Sequence, residues 1–384
     1  MVPLLNSIYK HKLMKRLLFI FFIAFIFLQC KQNQKDTFTE KSVKSTVKYA
    51  KGFDIITENG QKKLIIKKVF QNSNKQFSYT LTNATNFAAN EIKVPVEKIV
   101  VTSTTHIPML ELLQSENTLV GFPHSKYISS VKTRNRIKQG NVVELGLEQD
   151  MNTEKLIDLQ PELIVGFALH ANNKLYENIK KTGIPVIFNG DWLEETPLGR
   201  AEWIKFFGVL FEKEKEADSI FTAIETEYLN AKNIAQKSTN SPSILSGSMF
   251  KDVWNVPAGD SFIASFFKDA NLTYLWKDTK GTGSLQLNFE NVLEKGKHAD
   301  FWLNCGLYET KEQLTSANIH YKEFDAFTHN TIYTIAHKKG ETGGLIYFEQ
   351  SPIRPDLVLK DLIKITNPEV LPNYELTFFS RIKP

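Results

Sequence analysis

Two glutamates stand in matching contexts far apart in the chain. Asn152-Thr153-Glu154-Lys155-Leu156-Ile157 leads, after Pro161, into the apolar run Glu162-Leu163-Ile164-Val165-Gly166. Asn288-Phe289-Glu290-Asn291-Val292-Leu293 leads in the same way into Ala299-Asp300-Phe301-Trp302-Leu303-Asn304. Each begins with Asn at a helix N-cap and places Glu two positions later, where the positive end of the helix dipole favours a carboxylate. As helix chemistry alone this is worth under ~1 kcal/mol. The repetition in equivalent units is what singles the pair out. His106, His124 and His170 fall in predicted loops or at their edges and are open to two readings, convergence on a metal or plain solvation. The chain has only two thiols, Cys30 and Cys305, which excludes a CxxC metal site and a disulfide framework. It contains no GxSxG elbow, no HExxH and no P-loop. These residues point to recognition rather than catalysis.

The elements that must position them are organised around Gly199 to Lys237. Ala217, Ile220, Phe221, Ile224, Tyr228, Ala231 and Ala235 recur three or four apart, an apolar stripe of helical period, and no Gly or Pro interrupts Lys213 to Lys237. At 1.5 Å per residue that helix is a rod of roughly 35 Å. A shorter helix is expected before it, with Trp203, Phe206, Phe207 and Leu210 inward. On both sides strands alternate with helices, the pattern of a largely parallel sheet covered on two faces. Strands are predicted at 98–103, 119–122, 163–166 and 185–188 in the first half, and at 244–246, 253–256, 301–304 and 332–335 in the second. In front lie alternating segments at 53–57, 64–70 and 77–81, with Asn59-Gly60 between the first two as a hairpin signal. The expected fold class is α/β, two Rossmann-like lobes joined by a long rigid helix, with a small N-terminal β-meander. Expected boundaries are 49–94 for the meander, 95–196 for the first lobe, 197–238 for the connecting helices and 239–384 for the second lobe.

The chain has 384 residues, enough for two domains, and its 42% hydrophobic and 23% charged residues are ordinary for a globular protein. One end is different. Twelve apolar residues, Leu17 to Leu28, follow Lys15 and Arg16 and end at Gln29-Cys30. The run has the length and positive flank of a signal-peptide core and is short for a bilayer span. Met14 heads the pattern as a second candidate start. Residues 1–29 are therefore expected to be a signal peptide and 30–48 a polar, flexible tether. The formal net charge of +5 falls to +1 without residues 1–29, which carry four basic residues and no acidic one. The basic balance belongs to the targeting segment, and it makes no case for a nucleic-acid partner.

Cys30 after the apolar run resembles the lipobox of bacterial lipoproteins, in which the Cys takes lipid; Gln29 departs from the small residue usual there. Beyond residue 95 the chain resembles the class III periplasmic binding proteins of ABC importers, of the iron-siderophore, haem or cobalamin type. The resemblance is carried by Trp203-Ile204-Lys205-Phe206-Phe207-Gly208, by the segment Glu154 to Gly166, and by Arg354-Pro355-Asp356-Leu357-Val358-Leu359-Lys360-Asp361-Leu362. The front meander and the lipid-linked tether resemble the form found in Bacteroidetes-type bacteria. The resemblance implies two α/β lobes with ligand held between them, as expected for crevices beyond the carboxyl ends of parallel strands. Candidate ligand contacts on the loops at those ends are Thr104, Thr105, His106, His124, Phe167, Trp192, Met249, Trp254, Tyr347, Glu349 and Arg354. Aromatics with a few polar groups suit a large, flat, partly apolar chelate or macrocycle. Bland readings stand beside these: Thr104 and Thr105 as helix caps, Trp192 and Trp254 as lobe core, and Arg354 as partner of a carboxylate in its own lobe.

The resemblance further implies that each lobe presents one acidic residue to arginines of a two-fold permease, a role that falls on Glu154 and Glu290. It implies a monomer with no resident cofactor or metal and no enzymatic activity. Its partners would be an ABC permease dimer with its ATPase subunits, a small-molecule metal chelate, and a membrane reached through a lipid anchor. The expected ligand is a ferric-siderophore-type complex, with cobalamin or haem as the alternative. A metal-cluster enzyme on the same two-lobed architecture is remote, since such clusters need several cysteines.

Overall fold

A computed structural model describes residues 45–384 except 72, 86–87 and 168–173. The signal segment, Cys30, most of the tether and His170 lie outside the described residues. No helix among those described is long and apolar enough to cross a membrane.

The chain enters through a four-stranded sheet. Phe53–Glu58 and Gln61–Ile66 form an antiparallel hairpin whose turn residues, Asn59 and Gly60, both take positive φ, 52° and 79°. That is the two-residue turn that Asn-Gly favours. Phe77–Thr82 pairs next, and Glu91–Lys93, a strand that the sequence pattern does not announce, closes the sheet in parallel. Two buried carboxylates fix the chain just ahead of the hairpin. Glu202 accepts the backbone N–H groups of Lys48, Tyr49 and Ala50 at 2.6–2.9 Å. Glu194 accepts those of Lys51 and Gly52 and the Trp203 indole N–H at 2.8–3.0 Å.

In the first lobe, Val186–Phe188, Leu163–Gly166, Ile99–Val101, Leu119–Phe122 and Val143–Glu144 lie side by side in that order, all parallel. Chain order therefore reverses between Ile99–Val101 and Leu163–Gly166, the doubly wound arrangement whose crevice opens at the reversal. In the second lobe the order is Thr273–Tyr274, Ser243–Ser246, Phe301–Leu303, Ile332–Thr334 and Ser380–Arg381, the last antiparallel. There the reversal falls between Ser243–Ser246 and Phe301–Leu303. A separate antiparallel sheet of Ser248–Phe250, Val253–Pro257 and Ser284–Leu287 lies beside it. Strands as short as Val143–Glu144 and Thr273–Tyr274 carry too few residues to show a period, so they are not legible beforehand.

The helix Glu214–Gln236 runs for 23 residues. Its stripe divides between two cores: Ala217, Phe221 and Ile224 are buried in the first lobe's core, and Tyr228, Ala231 and Ala235 in the second's. Burying a Phe or Ile of this kind contributes about 1.5–3 kcal/mol each, so each half of the helix is held by its own lobe. The preceding helical piece is two helices, Pro197–Ala201 and Ile204–Leu210.

Candidate functional site

Between the lobes lies a cavity of about 600 Å³, with Thr102, Thr104, Phe122, His124, Glu148 and Phe167 on the first lobe's side. The second lobe contributes Leu307, Ala336, Lys339, Gly343, Leu345 and Phe348. Every first-lobe member but Glu148 follows, or ends, a parallel strand at its carboxyl end, and Leu307 and Ala336 do the same in the second lobe. A second chamber of about 450 Å³ shares Ser103, Thr104, Phe167 and Phe348 with the first and continues to Arg200, Phe262 and Tyr347. The walls are mostly apolar, with few polar groups, as in pockets for organic ligands.

Phe167 is held by its own N–H, which donates to Thr102 Oγ1 at 2.7 Å, and its ring lies 5.8 Å from that of Trp192. Glu148 reaches the cavity from the small hairpin Gly146–Met151. The Thr102 and Tyr176 hydroxyls donate weakly to its Oε1, at 3.5 and 3.4 Å. Partial burial, without a nearby cation, pushes its carboxyl up to about 7. In the second chamber the Arg200 guanidinium lies 3.7 Å over the Phe262 ring and donates to the Trp192 carbonyl at 2.9 Å. It stands beside buried Asp191, whose pKa burial raises while Arg200 and the Thr105 hydroxyl, 3.1 Å away, pull it back.

The second lobe's segment 338–349 forms one wall of the cavity and grips the first lobe. The Thr342 hydroxyl donates to the Lys126 carbonyl at 2.7 Å, and Glu341 receives Arg134 at 3.2 Å and Lys138 at 2.6 Å. The contact requires glycine at two places. A Cβ at Gly340 would lie 2.5 Å from Ser129 Cα, and one at Gly344 would lie 2.1 Å from the Tyr127 carbonyl oxygen. The Ser129 N–H donates to Glu349 Oε2 at 2.6 Å. Glu349 is 1% exposed, its Oε1 has no hydrogen-bond partner among the described residues, and desolvation pushes its pKa up to about 7.

Thr104, His124 and Phe167 line the main cavity, and Thr105 and Tyr347 line the second chamber. Thr105 occupies a helix N-cap position without capping through its side chain. Trp192 stands behind Phe167 rather than on the cavity wall. Five expected contacts are corrected. His106 is fully buried against Phe207, its uncharged ring held neutral by desolvation that lowers its pKa to about 3. Trp254 is fully buried, donating to the Ser246 carbonyl and stacked near Trp302 in the second core. Met249 packs on that core, with Asn318 donating to its sulfur at 3.6 Å. Arg354 forks onto Asp356 two residues along, at 2.9 and 2.8 Å, and lines neither chamber of the cleft. Glu349 is spent on the tie to Ser129. Met249 and Glu349 fail for one reason: partners distant in sequence took groups that the sequence shows without their neighbours.

The reading missed Glu148, Leu307, Lys339 and Phe122. Phe122 ends a predicted strand and was within reach of the carboxyl-end argument; nothing in the run Gly146–Met151 marks Glu148. Glu154 and Glu290 are both exposed in the first turns of the helices Thr153–Leu159 and Phe289–Gly296. Asn152 and Asn288 cap those helices, accepting from Lys155 N–H at 2.9 Å and Asn291 N–H at 2.8 Å. Each helix leads into the strand that lies across the reversal from its lobe's first strand.

Comparisons with known proteins agree with this architecture. An uncharacterized lipoprotein of Methanocaldococcus jannaschii is 26% identical over 299 residues, 75% of this chain and 69% of that protein. A possible iron-binding, periplasmic solute-binding protein from Staphylococcus epidermidis has a similar fold, with TM-score 0.55 and 16% identity over 71% of this chain and 99% of that one. So does the periplasmic heme-binding protein HutB of Vibrio cholerae, with TM-score 0.53 and 16% identity over 68% of this chain and 99% of that one. A model of the periplasmic binding protein family matches residues 99–338, well over half of the sequence. With its α/β two-lobed fold and N-terminal sheet, the chain belongs to the periplasmic binding protein family, whose members are solute-binding parts of transport systems and not enzymes.

Proposed function

We propose that this protein captures an iron complex of the ferric-siderophore type between its lobes and delivers it to the permease of an ABC importer. The observation that carries the reading is the apolar interlobe cavity at the carboxyl ends of both sheets, walled by Phe122, Phe167 and Phe348. Among the described residues no three His, Cys, Asp or Glu side chains converge to hold a metal ion. A metal bound there would bring its own donors, as a chelate does. The iron-binding and heme-binding proteins of similar fold support the class of ligand. A haem or a corrinoid is the second reading, favoured by the adjoining chamber of about 450 Å³, which gives room for a broader macrocycle.

Glu154 and Glu290, exposed and at equivalent helix starts, are the proposed docking pair for a two-fold permease, one carboxylate to each half. Thr104, Thr105, His124, Phe167 and Tyr347 remain the proposed ligand-side residues, with the second lobe's Phe348 added. The helix Glu214–Gln236, held in both cores, is the proposed rigid connection. Residues 1–29 and Cys30 are proposed as signal peptide and lipid anchor, which places the binding lobes outside the cytoplasmic membrane; the lipoprotein relative supports this.

The test is titration of the purified chain with ferric trihydroxamate, ferric tricatecholate, haemin and cyanocobalamin, followed by tryptophan fluorescence. At least one iron complex is expected to bind, and Phe348→Ala, which removes a 54% exposed aromatic wall, should weaken it about tenfold or more. Binding of cyanocobalamin alone would move the assignment to the second reading, and binding of none would refute both.

A further inference from the structure

Among the described residues the cavity holds one charged group that the fold leaves unanswered. Lys339, the cation on its wall, is paired with Glu309. Glu144, beside the cavity, is occupied by the N–H groups of His124, Ser125 and Gly146 at 2.9–3.0 Å. Glu148 differs. Among the described residues its Oε1 receives only two long hydroxyl contacts, its Oε2 accepts no hydrogen bond, and no cation lies against it. Glu148 is half-buried and lines the cavity. Building a half-buried carboxylate into an apolar wall without a partner costs stability, and a ligand that supplies the partner recovers it.

We propose that Glu148 sets the polarity of the solute. The first lobe's side of the cavity takes a chelate that presents a protonated amine, or a comparable strong hydrogen-bond donor, to Glu148 Oε2, and it rejects a chelate that presents a carboxylate there. The proposal rests on the cleft being the solute site, as argued above. It narrows the ligand class: a cationic or donor-bearing hydroxamate chelate fits, whereas haem, with two propionates, must turn both away from Glu148. Thr102 and Tyr176 act as positioning residues, because their hydroxyls hold the carboxylate against the end of Ile99–Val101.

The experiment uses three ferric trihydroxamates that differ only at one terminus: a free ammonium, its N-acetyl amide and its N-succinyl carboxylate. Haemin is the fourth probe. Affinities are read at pH 8 by tryptophan quenching in the full chain in detergent, for wild type, Glu148→Gln and Glu148→Asp. The expected order in wild type is ammonium over amide over carboxylate, spanning at least tenfold. Glu148→Gln should bring the three within about threefold of one another, and Glu148→Asp should keep the order. A purely structural role would weaken all three alike and leave the order intact, which overturns the proposal. Equal affinities in wild type, or preference for the succinylated chelate, overturn it as well. Binding of haemin with none of the three overturns it and moves the assignment to the second reading. If no iron complex binds, both fall together.

Discussion

Glu349→Gln should change the pH dependence of stability in a direction that the structure fixes. In the native protein burial raises the Glu349 pKa from the ordinary 4.5 to about 7. Glu111, whose carboxylate is held by the Ser130 and Thr133 hydroxyls, adds to the rise, and the Ser129 N–H opposes it. The charged groups on the same face, Arg134, Lys138 and Glu341, are engaged with one another. Between pH 4.5 and 7 the native state therefore holds more of this proton than the unfolded chain does, so stability falls as pH rises through that window. A shift of 2.5 units, taken from the same two values, corresponds to about 3 kcal/mol at full development, an upper bound reached above pH 7. Glutamine keeps the oxygen that accepts from Ser129 and cannot ionise. The assay is urea unfolding of wild type and Glu349→Gln at half-unit steps from pH 5 to 8.5. Glu349→Gln should gain about 1–3 kcal/mol relative to wild type between pH 5 and 8, whatever fixed cost the amide group adds. The difference between the two proteins also cancels Glu148, which titrates in the same range. A difference that is flat with pH, or that moves the other way, would refute the view that Glu349 is a desolvated carboxyl sealed between the lobes.

Three further outcomes are expected. Cys30→Ala should move the protein from the detergent phase to the aqueous phase or leave an uncut precursor; unchanged partitioning with an intact N-terminus would make the apolar stretch itself the anchor. Glu154→Ala combined with Glu290→Ala should abolish solute-dependent growth with fold and ligand affinity preserved, and transport at the normal rate would reduce the pair to helix-start residues. Solution scattering with and without ligand should show little change in radius of gyration, since the Glu214–Gln236 helix is fixed in both cores and the 338–349 segment already bridges the lobes. A large contraction would mean that those contacts open.

The fold was legible where a period had room to repeat. The 23-residue helix, the Asn59-Gly60 hairpin and the strands Leu119–Phe122 and Leu163–Gly166 each carry their signal within one segment. What the stripe of the long helix does not reveal is that its two halves serve different cores, because that depends on residues hundreds of positions apart. The site was legible at the level of loops and only partly at the level of side chains. Strand ends pointed to Thr104, His124 and Phe167, and these three line the cavity. They misled at His106, one turn further along, where the helix Ile107 and Met109 belong to had already carried the ring into the core. Arg354 shows the opposite limit. Its carboxylate partner lies only two residues away, and the bland reading of an in-lobe pair describes what the structure shows. Glu148 was out of reach, since a carboxylate on a short hairpin stands out only when no cation faces it among the described residues.

The claim at the centre is that the interlobe cavity carries an iron complex, and native mass spectrometry tests it most directly. The full chain, isolated from its own host in mild detergent, is measured beside a Phe167→Ala, Phe348→Ala variant. The expected result is a non-covalent adduct whose isotope pattern contains iron, present on the wild type and lost from the variant. An adduct without metal, or an iron-containing adduct retained when both aromatic walls are removed, would contradict the account.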